Sequence, residues 1–369
     1  PSGWCYTNRS AQLLPSLKSL GKGGSTRIAA MAGLLCPPST VFSRPHCSPP
    51  LSRWSPRRPP ATVRHRAPRI RSSTSDSSSS SATTAAPIET ATTVKLTYLE
   101  FNGWVWELDD GFRILVDPIL DGNLDFGIPW LFDAAKKTLK STDYGPDLAA
   151  VDLLLITQSL DDHCHLRTLT RISATTPDLP VVTTPNAEPI LSALPFTNVT
   201  YLEPGQSATV GGGGAVEVLA TAGPVLGPPW QRPENGYILT AGQQRRHSLY
   251  YEPHCVYDAA FLRDRGLRAD VLITPVVKQL LPANFTLVSG QEDAVDLARQ
   301  LRPSYVVPMS NGEFDAKGLL TAVLTTQGTI EAFKALLREA LPQVQVVEPT
   351  PGVPLQINLN HNNSSSSSS

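Results

Sequence analysis

The chain has 369 residues, enough for one large domain or two ordinary ones. Its net charge of -1 joins two opposite parts: residues 1–88 carry twelve Lys/Arg against Asp76 alone, a balance of +11, and the chain from Glu89 onward carries nineteen Lys/Arg against thirty-one Asp/Glu, a balance of -12. An acidic body of this kind argues against a nucleic-acid binder, which clusters Lys/Arg on the binding part itself, and the absence of any run of eighteen or more apolar residues argues against a membrane-spanning helix.

The basic arm, residues 1–90, is rich in Ser, Pro and Arg and almost free of acids, the composition of an organelle transit peptide. The first methionine, Met31, is the expected start, with residues 1–30 a leader or an extension. The Ser/Pro/Thr bias, and the lack of an Arg-bearing amphipathic helix after Met31, favour a chloroplast address, the stroma, over a mitochondrial one. Residues 72–93 are too polar to bury a core and read as a disordered junction. Three of the five cysteines lie in the arm, and the two in the body, Cys164 and Cys255, are too far apart in sequence to suggest a disulfide framework, so a reducing compartment fits.

Residues 91–357 are the expected folded domain. Residues 95–101, 104–108 and 112–116 predict a meander, with Asp109-Asp110-Gly111 as a hairpin turn. A helix is expected over 129–140. Residues 153–157 form a continuous apolar run, the mark of a strand buried on both faces. Further strands are expected over 181–184, 216–220, 237–240, 249–252, 271–274, 305–309 and 344–347, and helices over 166–174, 256–265, 291–300 and 329–340. Hairpins first, then strands alternating with helices, predict a mixed α/β layering with helices outside the sheets. The Asn/Ser-rich tail, residues 358–369, is expected to be disordered.

The chemistry concentrates behind the run at 153–157. Gln158, Ser159, Leu160, Asp161, Asp162, His163, Cys164 and His165 follow a buried strand directly, where layered α/β proteins commonly build sites. Carboxylate, imidazole and thiolate are all zinc-capable ligands. Cys164 and His165 read more simply as a half-buried thiol and a helix-surface histidine, and His247 as a solvated turn residue. Four glycines at 211–214 lack the Lys-Ser/Thr of a phosphate loop and read as a flexible turn. Trp104, Trp106, Trp130 and Trp230 read as core or rim packing.

This segment resembles the metallo-β-lactamase fold family, in which a strand ending in Thr is followed by His-x-His-x-Asp-His. The four motif positions are here Gln158, Leu160, Asp162 and His163, so only the Asp-His half is present. Upstream, Gly111 to Pro118 is similar to the family's strand ending in Asp-Pro, and the block is most similar to the subgroup that includes ascorbate-6-phosphate lactonases, here as a plant plastid-type member with a degenerate motif. The family's middle histidine falls in 220–224, which has none. Its later aspartate is matched by His254 and its last histidine by Ser310.

The resemblance implies a four-layer αβ/βα sandwich with the site at the edge between two sheets. It also implies that the three-histidine metal position is lost, while Asp162, His163 and His254 remain as ligands for one zinc-class ion (zinc, iron or manganese). Asp162 would then serve catalysis as well. Asp117 would orient a ligand or a backbone amide, or else cap the turn at Pro118. Gln158, Cys255 and Ser310 would line the site, Cys255 being able to replace His254 as a soft ligand. The proline-bearing loop 223–235 (Pro224, Pro228, Pro229, Pro233) lies where the fold shapes its substrate. Two readings stay open: a metal-dependent hydrolase of a small ester, lactone or phosphoester, and a metal-free, non-catalytic domain that binds a small molecule or a protein.

Overall fold

In the computed structural model of the chain, the structure describes residues 92–140, 148–211, 216–226, 230–242, 247–310 and 312–359. The expected basic arm, Pro228 and Pro229, glycines 212–214 and the tail from 360 lie outside these residues. The first half runs β1 (Thr93–Tyr98), β2 (Trp104–Glu107), β3 (Arg113–Val116), β4 (Asp133–Ala135), β5 (Leu153–Leu155), α1 (Leu166–Thr175), β6 (Val181–Thr183), α2 (Glu188–Leu191) and β7 (Val199–Tyr201). Next come β8 (Ser207–Val210), β9 (Val216–Ala222), β10 (Asn235–Ala241), β11 (His247–Tyr251), α3 (Ala259–Asp264), β12 (Val271–Pro275), β13 (Lys278–Leu281) and β14 (Phe285–Val288). The last part is α4 (Glu292–Leu301), β15 (Tyr305–Met309), β16 (Asp315–Lys317), β17 (Thr325–Gln327), α5 (Ile330–Ala340), β18 (Gln345–Val346) and β19 (Leu355–Asn358).

Two seven-stranded sheets result, ordered β19-β1-β2-β3-β5-β6-β7 and β18-β15-β12-β11-β10-β9-β8. Strand parity explains how they pack. Leu153 and Leu155 of β5 face a core shared with Val218, Tyr237, Tyr251 and Ile273 of the second sheet, while Leu154 faces the other way, toward Leu169 and Ile172 of α1. The second sheet repeats the rule. Leu249 and Tyr251 enter the shared core, and Tyr250 joins Leu262, Leu297, Leu301, Phe333 and Leu337 of α3, α4 and α5. Each sheet thus buries both faces, one against the other sheet and one under helices, which is the four-layer αβ/βα sandwich.

The expected hairpin forms: β2 and β3 pair antiparallel, and Gly111 closes the turn with φ +85°, a conformation that favours glycine. Several expectations are corrected. Residues 129–140 are not a helix. Only one turn forms at Ile128, and the chain then alternates, with Phe132 and Ala134 buried and Asp133 and Ala135 less so, pairing β4 with β16. Tertiary pairing overrides the helical pattern that follows Pro129. The helix expected from residue 256 starts at Ala259, because the Asp258 carboxylate accepts the amides of Ala260 and Phe261 and caps it there.

His247 is buried on β11 with its Nδ1 3.8 Å from Asp270 Oδ2, not a solvated turn residue. His165 and Cys164 are likewise buried; His165 precedes α1, and its Nδ1 lies 2.8 Å from the Thr168 hydroxyl. At the C-terminal edge, β19 pairs with β1 through Asn358 and Leu359 is buried, so the fold runs past the expected boundary at Ile357. Trp104 and Trp106 are core, and Trp130 and Trp230 are exposed.

Candidate metal centre

Three strands deliver the polar residues, each with a parallel neighbour in its sheet, β3 beside β5 and β11 beside β12. β3 ends at Asp117, its neighbour β5 leads into 157–163, and β11 of the other sheet leads into Glu252 and His254. The carboxyl ends of parallel strands are the edge at which such sheets place ligands. Hydrogen bonds stitch the sheets together there: among them, the Asn235 amide donates to the Thr157 carbonyl at 3.0 Å, and the Tyr237 hydroxyl donates to the Ile156 carbonyl at 3.1 Å.

Asp117 is the hub. It is fully buried and has φ +40°, a conformation uncommon for a side chain other than Gly, Asn or Asp. Its Oδ1 accepts the Thr157 amide at 2.8 Å, and its Oδ2 accepts the Thr157 hydroxyl at 2.5 Å and the Tyr251 hydroxyl at 3.3 Å. The same Oδ2 lies 2.9 Å from His163 Nδ1. A carboxylate can only accept, so Nδ1 carries the proton and Nε2 is turned toward Asp162, whose Oδ2 is 3.1 Å away. Asn102 closes this end, with Nδ2 3.1 Å from both His163 Nε2 and the Asp162 carbonyl.

On the other side His254 Nδ1 lies 2.6 Å from Gln158 Nε2, while Gln158 Oε1 is buried without a hydrogen-bond partner. With the amide nitrogen donating, His254 carries its proton on Nε2. With the amide reversed, Gln158 accepts from Nδ1 and the Nε2 lone pair is open. The two imidazole rings are 5.1 Å apart between centroids.

Electrostatics separate these groups. Burial opposes charge on His163, but the Asp162 and Asp117 carboxylates outweigh it and raise its pKa to about 10. Burial also opposes charge on Asp162, and His163 beside it holds its carboxyl below the usual range. His254 is driven down to about 3 by burial and by the neighbouring His163, so it is neutral.

Asp162, His163 and His254 each offer one ligand atom, and these atoms lie within 4.8 Å of one another. It is the one such group of His, Cys, Asp or Glu among the described residues. Two imidazoles and a carboxylate fit a catalytic zinc-class ion, and Asp162 Oδ1 is buried with no hydrogen-bond partner in the protein.

Gln158 sits against this group. Cys255 does not: it packs in the outer core with Tyr250, Leu262 and Ala294, beneath the helices. Ser310 lines a neighbouring cleft with Gln279, Glu313 and Thr326. Sequence reading missed Asn102, Tyr251 and Glu252. Asn102 lies in the turn before β2, and nothing in its neighbourhood distinguishes it. Glu252 is buried, and its carboxylate accepts the amides of His254 and Val256, which fixes the turn that presents His254. Its acidic character within an otherwise apolar strand end was the available signal.

The family model described as a beta-lactamase superfamily domain matches residues 95–310. Similar solved structures include Igni18, a metallo hydrolase from Ignicoccus hospitalis, at 20% identity and TM-score 0.48, covering 72% of this chain and 99% of that one. An isothiocyanate hydrolase from Delia radicum gut bacteria matches at 15% identity and TM-score 0.49, covering 72% of this chain and 99% of that one. The metallo-beta-lactamase fold protein YhfI from Bacillus subtilis matches at 13% identity and TM-score 0.46, with the same coverages. No curated protein matches the chain.

Proposed function

This chain belongs to the beta-lactamase superfamily, and within it we propose a hydrolase that holds a single zinc-class cation on Asp162, His163 and His254. The observation that carries this reading is the pairing of Asp117 with His163. A buried carboxylate that takes the Nδ1 proton fixes the tautomer and aims Nε2 at the Asp162 carboxylate, as the outer partner of a metal-bound histidine does. When bound, such a cation supplies Lewis acidity, which polarises a substrate oxygen and acidifies water. The chain's own part is to orient the ligands: Asp117 and Asn102 hold His163, and Gln158 and the Glu252-braced turn hold His254. A metal on His254 Nε2 requires the reversed Gln158 amide. The single-ion assignment follows the resemblance, in which Gln158 and Leu160 replace two histidines of the other metal position. The substrate class is a small ester, lactone or phosphoester, and the destination is the chloroplast.

A second reading has an observation of its own. With a proton on both ring nitrogens, His163 forms an ion pair with Asp117 on one side and Asp162 on the other, and needs no cation. The protein would then be a metal-free binding domain. Elemental analysis decides between the two. The full chain, loaded with zinc, iron or manganese and then desalted, should retain one ion per chain; a value near zero for all three metals would leave the metal-free reading.

A further inference from the structure

A cavity of about 160 Å³ opens beside Asp162 and His254. Its walls are the rings of Phe101, Phe126, Phe132 and Phe314, which pack on one another with centroid separations of 5.7–5.8 Å. Pro224 and Leu226, from the loop between β9 and β10, and Phe285 of β14 add to it, and Asn102, Gln279 and Thr286 are polar residues on its lining. Among the described residues that line it there is no lysine or arginine. Leu160 also lines it, at the position where the family resemblance places a histidine. The side chain that replaces a metal ligand thus continues an apolar wall.

Size and chemistry restrict the occupant. An enclosed cavity of roughly 150 Å³ with aliphatic and aromatic walls accepts benzene, and this one, open beside Asp162 and His254, offers comparable room. An anionic group inside the cavity would lose its water against phenylalanine rings, with no lysine or arginine in the lining to compensate. A neutral ring gains by the same burial.

We propose that this cavity receives an uncharged apolar group of aryl size, carried by the substrate next to the bond that is hydrolysed. The reacting end of any of these substrate classes lies outside the cavity, beside Asp162 and His254, so the cavity selects the group next to the reacting bond and not the bond itself. The reacting end of this assignment rests on the hydrolase reading; the apolar end rests on the cavity.

Fluorobenzene, followed by ¹⁹F NMR with the full chain, tests the apolar end without catalysis. The wild type should bind it saturably. Leu160→Lys and Leu226→Lys, each at a partly exposed position on a different loop, should weaken binding about tenfold or more by placing a charge in the wall. Leu160→Met should retain binding. Cooperative melting of each variant shows that it has folded. No saturable binding to the wild type, or equal binding by the charged variants that fold, overturns the proposal.

The metal-loaded chain should then cleave benzyl acetate with a kcat/KM about tenfold or more above that for methyl acetate, two esters with similar leaving groups. Equal values overturn the assignment of the cavity to the substrate. Binding of fluorobenzene with cleavage of neither ester, and of neither phenyl phosphate nor an aryl lactone, refutes the hydrolase reading while upholding the ligand class of the cavity.

Discussion

Asp117 Oδ2 lies 2.9 Å from His163 Nδ1, and both side chains are completely buried. The pair joins the end of β3 to the loop that follows β5. It also sets which nitrogen of His163 faces the site, and the first prediction follows from it. Asp117→Asn keeps the shape but removes the charge and one of the two acceptor oxygens. Metal affinity, measured by competition with a chelator, should fall about 10- to 100-fold. Stability should fall by about 1–3 kcal/mol, read from denaturant unfolding, because Thr157, His163 and Tyr251 lose part of their acceptor.

His254 and His163 should differ in what their loss costs. His254→Ala should abolish retained metal with a small change in melting temperature, since its ring is neutral. His163→Ala should also abolish metal but lower stability by about 3–5 kcal/mol, as it leaves the buried Asp117 carboxylate without its cationic partner. Undiminished stoichiometry in both variants would place the ligands elsewhere.

Glu100 anchors a neighbouring stretch of chain. Its buried carboxylate accepts the amides of Lys137, Thr138 and Leu139, at 3.0, 2.8 and 2.7 Å, and so anchors the segment that follows β4. Glu100→Ala leaves those donors without a partner. A loss of about 2–4 kcal/mol in unfolding free energy is expected, together with faster hydrogen exchange confined to this segment.

Neither body cysteine should react with a thiol reagent in the native state. Cys164 and Cys255 are buried among apolar side chains, and burial pushes both thiols well above their usual range. A disulfide-exchange reagent should therefore modify both only on unfolding. Rapid native-state labelling of Cys255 would show that it faces the site after all.

The proposed address has a direct test. Residues 31–90 fused to a fluorescent reporter should carry it into chloroplasts of plant cells; retention in the cytosol rejects the address.

Much of the fold was legible because the buried strands are apolar on both faces. Residues 153–155 and 271–275 leave no alternative once their length is considered. The strands that escaped notice, β7, β8, β13, β14, β16, β17 and β19, are three or four residues long, and all but β13 carry at most one buried residue, so no hydrophobic pattern marks them. Residues 129–140 misled because a proline followed by mixed apolar and charged residues reads as a helix, whereas pairing with β16 decides the outcome. The burial of His165 and His247 was invisible for a related reason: whether a histidine is enclosed depends on what packs over it. At the site, Asp162 and His163 were readable from their place after a buried strand, and His254 and Asp117 from the resemblance to the family. Asn102 was not, since its role comes from a chain crossing sixty residues away from Asp162.

The peptide of Thr157 is gripped from both sides, its amide by Asp117 and its carbonyl by Asn235 of the opposite sheet. The loop carrying Gln158 to His163 therefore cannot drift unless the sandwich itself begins to part. Thermal loss of the centre should then coincide with global melting, where a loop-borne centre would fail earlier. Rigidity here is borrowed from the whole domain, and substrate entry has to be accommodated by the surrounding walls, not by the ligands.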